Sequence, residues 1–352
     1  MIRALKFLLT KQLNRSKGIE QVDGFTLIEL LVGMIMAFLI ITPLLGFMIN
    51  ILDTDRKEQA KANSEQEIQA ALDYIARDLQ QAIYIYDATG IGCLTGTADT
   101  NTPNTCPNAS TTGNQLPSPT ATDRVPVLVF WKRELVSKAI TITGTQKDDT
   151  FVYSLVAYYL IKDTSTTWSN AARIARWQIK DGVADPGGQA CTGYTGKYVT
   201  DSGDKYCPNP GFALFKLDGA GTITQKMNAW TKATASYTAD TTVLVDFIDQ
   251  TKTDDASNPA PTAVCSLTSV PASFSVPASF NTRDTAKMTS FYACVDRVNT
   301  TAQVFLRGNA LARLQNDNLN YKDSSKTYFP NASIRVQGRG YLFTKYSNRH
   351  YG

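Results

Sequence analysis

A run of 23 residues from Leu27 to Ile49 carries one formal charge, that of Glu29, and this run constrains the chain more than any other feature. As a helix rising 1.5 Å per residue it spans roughly 30 Å of hydrocarbon, enough to cross a bilayer. A carboxylate within such a segment costs about 2.5 to 3.5 kcal/mol on insertion scales unless something pairs with it. Cutting the chain between Gly24 and Phe25 would create a partner: the new amino terminus of Phe25, at the depth of the Glu29 carboxylate of a neighbouring copy or relative. Two plainer alternatives are a signal anchor with Glu29 near the interface and a secretory signal peptide. The second has an apolar region of only about 7 to 15 residues, ending in small residues.

The leader before Phe25 holds Arg3, Lys6, Lys11, Arg15 and Lys17 against Glu20 and Asp23, a net +3 of the overall +4. The positive-inside rule places it in the cytoplasm and everything after Leu52 outside. What remains is too balanced in charge to imply a nucleic-acid partner by itself.

Gly24-Phe25-Thr26-Leu27-Ile28-Glu29-Leu30 behind this basic leader resembles the class III signal of type IV prepilins and type II secretion pseudopilins. The resemblance implies cleavage after Gly24 by an inner-membrane prepilin peptidase, N-methylation of Phe25, and an assembly role for Glu29. It also implies the partners of such subunits: other pilins or pseudopilins, an inner-membrane assembly platform and membrane lipid. Ile75 to Ala82 resembles the end of the spine helix in minor pilins of the PilW type and secretion pseudopilins of the GspJ type. Val304 to Leu314 resembles a segment of cyanobacterial pseudopilins linked to hormogonium polysaccharide secretion.

Cys93, Cys106, Cys191, Cys207, Cys265 and Cys294 all lie beyond the apolar run. An even count in an oxidising compartment favours disulfides, and pairing of sequence neighbours, Cys93 with Cys106, Cys191 with Cys207 and Cys265 with Cys294, is the most economical pattern. There is no C-x-x-C, and the single histidine, His350, stands two positions from the end of the sequence. No metal cluster, cofactor or His-dependent catalytic device is therefore expected, and the chain reads as non-enzymatic. The pairs Asp148-Asp149 and Asp254-Asp255 sit in Thr/Asp/Lys-rich stretches that read as solvated turns.

From Asp53 to Gln81 the chain has no proline or glycine, and Ile68, Leu72, Ile75, Leu79 and Ile83 recur at steps of three and four. One helix from Phe25 to about Tyr84 is expected, roughly 90 Å long, with Lys57, Lys61 and Glu65 in water. Pro43 and Gly46 predict a kink or local melting within it. Asp78 and Arg77 read as part of a solvated face. Thr89 to Thr122 reads as a long surface loop. Strands are expected at Val125–Trp131, Phe151–Ile161, Arg173–Ile179, Phe212–Leu217, Val243–Ile248, Ser290–Val298 and Ala302–Leu306, the last two joined by a turn at Asn299-Thr300-Thr301.

The fold class that follows is α+β: a long N-terminal helical spine packed on an antiparallel β-sheet domain with long disulfide-pinned loops. Residues 1–24 form the leader, 25–52 the membrane half of the spine, 53–85 its distal half and 86–352 the exported domain. The chain reads as a minor pilin or pseudopilin near a filament tip, with a pseudopilin of polysaccharide secretion and a membrane-anchored adhesin as alternatives. Tyr158, Tyr159, Trp168 and Trp177 are candidate sugar-stacking rings, although strand aromatics usually pack a core. Arg335, Arg339, Lys345 and Arg349, interleaved with Tyr341, Phe343, Tyr346 and Tyr351, form a strip suited to an anionic polysaccharide or nucleic acid. A terminal strand with a solvated tail is the plainer reading.

Overall fold

The computed structural model describes residues 26–97, 106, 114–117, 121–144, 146–200, 206–265, 275–277, 283–340 and 342. Two compact units divide the chain, Met1–Arg56 and Lys57–Gly352. Helix α1 (Leu27–Gln80) contributes to both.

In the first unit α1 is fully exposed and reaches a mean hydropathy of 2.5 over 18 residues, long and apolar enough to cross a membrane. It stays helical through Pro43 and Gly46, so the local melting expected there is not found. The Thr42 hydroxyl donates to the Phe38 carbonyl at 2.8 Å, an extra bond beside the amide that Pro43 lacks.

In the second unit Ile68, Leu72, Ile75 and Leu79 are buried as their spacing predicts. The helix ends at Gln80, short of Tyr84, because Ala82-Ile-Tyr-Ile85 forms strand β1 (Ala82–Ile85). Three of these four side chains are β-branched or aromatic, and pairing with the next strand overrides the helical period. Lys57 and Lys61 are half-buried and Glu65 is exposed; Lys61 pairs with Glu58 at 2.8 Å and sits 4.7 Å from the Tyr328 ring centre.

The main sheet has the order β1-β2-β3-β4-β7, with β2 (Arg124–Thr143), β3 (Gln146–Ile161), β4 (Ala172–Lys180) and β7 (Thr242–Ile248). A second sheet, β11-β10-β9-β8, joins β8 (Ser275–Val276), β9 (Phe291–Asp296), β10 (Thr301–Arg307) and β11 (Asn331–Gln337). The short β5 (Ala184–Ala190) and β6 (Lys197–Tyr198) pair with each other. Every pairing is antiparallel. The chain thus shows a long N-terminal helix and antiparallel sheets, with one core shared by the distal helix and both sheets.

The sheets meet where Ile248 bridges Gly308 and the Asn309 amide donates to the Phe247 carbonyl at 2.7 Å. Beneath this seam Arg307 pairs with Asp249 at 2.8 Å, both buried. Asp148 and Asp149 lie on β3, in a ribbon that β2 and β3 form beyond their neighbours, and not in a turn. Asp254 and Asp255 do occupy a turn; Asp255 accepts the Ser257 and Asn258 amides.

Two expectations fail for instructive reasons. Phe212–Leu217 is not a strand: Phe212 and Phe215 both turn inward onto Trp131, at 5.9 and 5.0 Å between ring centres, and no ladder forms. Within the stretch read as a surface loop, α2 (Ala88–Thr95) buries Cys93 and Leu94. Asp87 caps it by accepting the Gly90 amide at 2.8 Å, and Gly96 closes it at φ 71°. The disulfides are Cys93–Cys106, Cys191–Cys207 and Cys265–Cys294, as sequence proximity predicted. Each closes a loop of moderate length, worth about 2 to 4 kcal/mol.

Candidate functional site

Gly24 and Phe25 lie outside the described residues. Glu29 stands in the first turn of α1, where its Oε2 accepts the Thr26 hydroxyl at 3.0 Å and the Thr26 amide at 3.3 Å, while the Glu29 amide donates to Thr26 Oγ1 at 3.3 Å. This is a capping box, a local partner that the sequence reading did not foresee although Thr-x-x-Glu is its signature. Both donors are neutral. Among the described residues no cation pairs with the carboxylate, and Oε1 has no partner.

The second charged centre is one the sequence reading misplaced. Asp78, expected on a solvated face, is buried at 6% exposure between the helix and the main sheet. Its Oδ1 receives Lys132 Nζ at 2.9 Å; its Oδ2 receives Arg176 Nε and the Tyr158 hydroxyl, each at 2.8 Å. Ser154 donates to the nearby Glu134 at 2.9 Å, and Glu134 lies 3.7 Å from Lys132. Burial alone would raise the Asp78 carboxyl, but Arg176 and Lys132 together hold it below the usual carboxylate range. The missed signal was positional: Asp78 follows Ile75 by three and so shares the apolar stripe.

Tyr158, Tyr159 and Trp177 are core residues, which removes them as stacking platforms; Trp168 is 40% exposed. The C-terminal basic strip is partly described. Arg335 lies on β11 and Arg339 just beyond it; Lys345 and Arg349 lie outside the described residues, as do the four aromatics expected to interleave with them and His350. A tight crossing sets Arg339. The Gly338 amide donates to Thr300 O at 2.8 Å, that of Arg339 to Gln80 O at 3.0 Å and that of Gly340 to Ala82 O at 3.1 Å. A Cβ on Gly340 would fall 2.1 Å from Ile83 Cγ2, so only glycine permits this approach.

Two hollows adjoin this crossing, and a third lies in the 213–232 segment. The first, about 460 Å³, lies between Ala76 and Gln80 of α1 and the Ile334–Arg339 stretch, and presents Arg335 and Arg339. The second, about 340 Å³, lies between β1 and the β9–β10 turn. Arg297 lines it and pairs with Asp87 at 2.7 Å. The third, about 700 Å³, is formed by residues 213–221 and by α3 (Ile223–Asn228) with the segment after it. Its cations are Lys216, Lys226 and Lys232, and its single carboxylate is Asp218. Lys226 donates to Leu217 O at 2.8 Å, and Lys232 to the carbonyls of Ala233 and Ala235 at 3.2 and 3.1 Å.

Among the described residues no group of three or more His, Cys, Asp or Glu side chains is placed to hold a metal ion. No protein-family model, curated protein or solved structure matches this chain.

Proposed function

We propose that this protein is a non-catalytic minor pilin or pseudopilin. A prepilin peptidase removes residues 1–24, and Phe25 becomes the methylated amino terminus of a subunit held in the inner membrane, its N-terminus cytoplasmic before processing. The apolar part of α1 then leaves the bilayer and joins a helical fibre at the assembly platform, with Glu29 beside the Phe25 ammonium of a neighbour.

The observation that carries this reading is Glu29 itself. Its capping box satisfies hydrogen bonding at one carboxylate oxygen with neutral donors and leaves the charge for a partner elsewhere. The Gly24–Leu30 motif, the disulfides beyond the span and the apolar helix lend support. A subunit of about 328 residues after processing crowds a uniform shaft, which favours a tip or initiating position. A membrane-anchored adhesin is the second reading, favoured by the cationic hollows.

The test separates processing from assembly. Glu29→Ala should leave cleavage intact while reducing incorporation into purified fibres by at least tenfold, about the effect of losing 1.4 kcal/mol per contact. Gly24→Trp should block cleavage, seen as a persistent heavier species by mass analysis. Fibre yield unchanged by Glu29→Ala would overturn the filament reading, and an adhesin acting alone would retain its activity.

A further inference from the structure

The lining residues of the three hollows adjoin one another along the chain. Arg339 of the first is bonded to Gly340 of the second, and Thr224 of the second leads through Gln225 to Lys226 of the third. Read in that order they present Arg335, Arg339, Arg297, Lys226, Lys216 and Lys232, against the single lining carboxylate of Asp218. Arg297 is neutralised by Asp87. The other five form no ion pair among the described residues, and Arg335, Arg339 and Lys216 are exposed. A series of like charges without counter-charges is costly to keep together and is relieved by an anion laid along it.

We propose that these hollows form one continuous track for an extended carboxylated polysaccharide. Two features select this chemistry. Between the cations the walls carry exposed amides and a hydroxyl, Gln80, Gln337 and Thr231, which match sugar hydroxyls as hydrogen-bond partners. Among the described residues the aromatic rings in the walls, Tyr84 and Trp230, are 6% and 3% exposed. Single-stranded nucleic acid is held by rings on which its bases stack, and the described residues of this track offer no exposed ring. The cations instead meet carboxylates spaced along a chain, two in the first hollow and three in the third.

The track goes beyond the filament reading and does not depend on it, because binding is read on the single purified chain. Full-length protein in detergent micelles is titrated with fluorescent polygalacturonate long enough to cover all three hollows, and followed by polarisation. Neutral dextran and oligothymidylate of similar length serve as competitors. Polygalacturonate should bind and weaken steeply with salt, and dextran should not compete. Lys216→Gln alone and Arg335→Gln with Arg339→Gln should each weaken binding about tenfold, and the three together about a hundredfold. Lys216→Arg with Arg335→Lys and Arg339→Lys should retain wild-type affinity, which separates charge from folding.

Absence of polygalacturonate binding, equal competition by dextran, or affinity unmoved by the triple Gln variant would each overturn the proposal. Loss of affinity in the charge-retaining variant to the same extent would do so too. If only one of the two hollows affects the long fragment, the track is not continuous. Tighter binding of oligothymidylate would reassign the surface to nucleic acid.

Discussion

Asp78→Ala lowers the stability of the unit from Lys57 onward by about 3 to 5 kcal/mol, the cost of breaking a buried ion pair by removing one partner. The loss is at the upper end because one carboxylate serves two cations: without it Lys132 and Arg176 are left in the core facing each other, with only Glu134 nearby. Urea unfolding followed by tryptophan fluorescence measures it, and a change below about 1 kcal/mol would show that the network is incidental. Replacing the trio together, as Asp78→Leu, Lys132→Met and Arg176→Met, should restore most of the loss, since apolar side chains of similar volume need no desolvation.

The same group makes a pH prediction. The Asp78 carboxyl is held below its ordinary value in the folded state, so the unfolded chain binds the proton more readily. Its contribution is fully present above about pH 4, where the unfolded carboxyl is ionised, and is lost as pH falls through the lower folded value. In Asp78→Asn this acid-side decline should be shallower. An identical slope in both proteins would assign acid unfolding to other groups.

Trp131→Ala costs about 3 to 5 kcal/mol, the range for truncating a fully buried aromatic. Trp131 is where the irregular 212–230 segment is fastened to the sheet. Its ring meets Phe212, Phe215 and Trp230 edge-on at 5.9, 5.0 and 5.5 Å, and its Nε1 donates to the Tyr86 hydroxyl at 3.1 Å. Tyr86 passes the connection on to the Met227 carbonyl at 3.0 Å. Trp230 also lines the third hollow, so the variant should weaken polygalacturonate binding as well as folding. Trp131→Phe, which keeps one aromatic ring but loses the hydrogen bond and part of the buried indole, should recover part of both, and equal damage from the two would show that a single ring in this place does not fasten the segment.

The spacing of Ile68, Leu72, Ile75 and Leu79 was enough to locate the buried helix face, and alternating or apolar runs located β3, β4, β7, β9 and the first half of β2. Cysteine proximity sufficed for the disulfides because each pair closes a local loop. What resisted reading depended on partners far away in sequence. Ala82–Ile85 continues the helical period and becomes a strand only because Phe130 and Trp131 are there to pair with it. Asp78 looks solvated until Lys132 and Arg176, 54 and 98 residues away, are seen to converge on it. The cationic hollows were half legible: Arg335 and Arg339 stood out in a segment without acids, whereas Lys216, Lys226 and Lys232 are scattered among Gly, Ala and Thr and meet only through the fold.

The crossing at Gly338-Arg339-Gly340 has a mechanical consequence. It ties the segment after β11 to the end of α1 and to β1 by amides donated to Gln80 and Ala82. A tug along the helix therefore reaches the sheet through β1, where it slides antiparallel backbone past β2 on one side and strains the 338–340 bonds on the other. Those bonds must yield together, whereas an unzipping load would break them in turn, so within the second unit the end of α1 is held to the sheet as a shear joint.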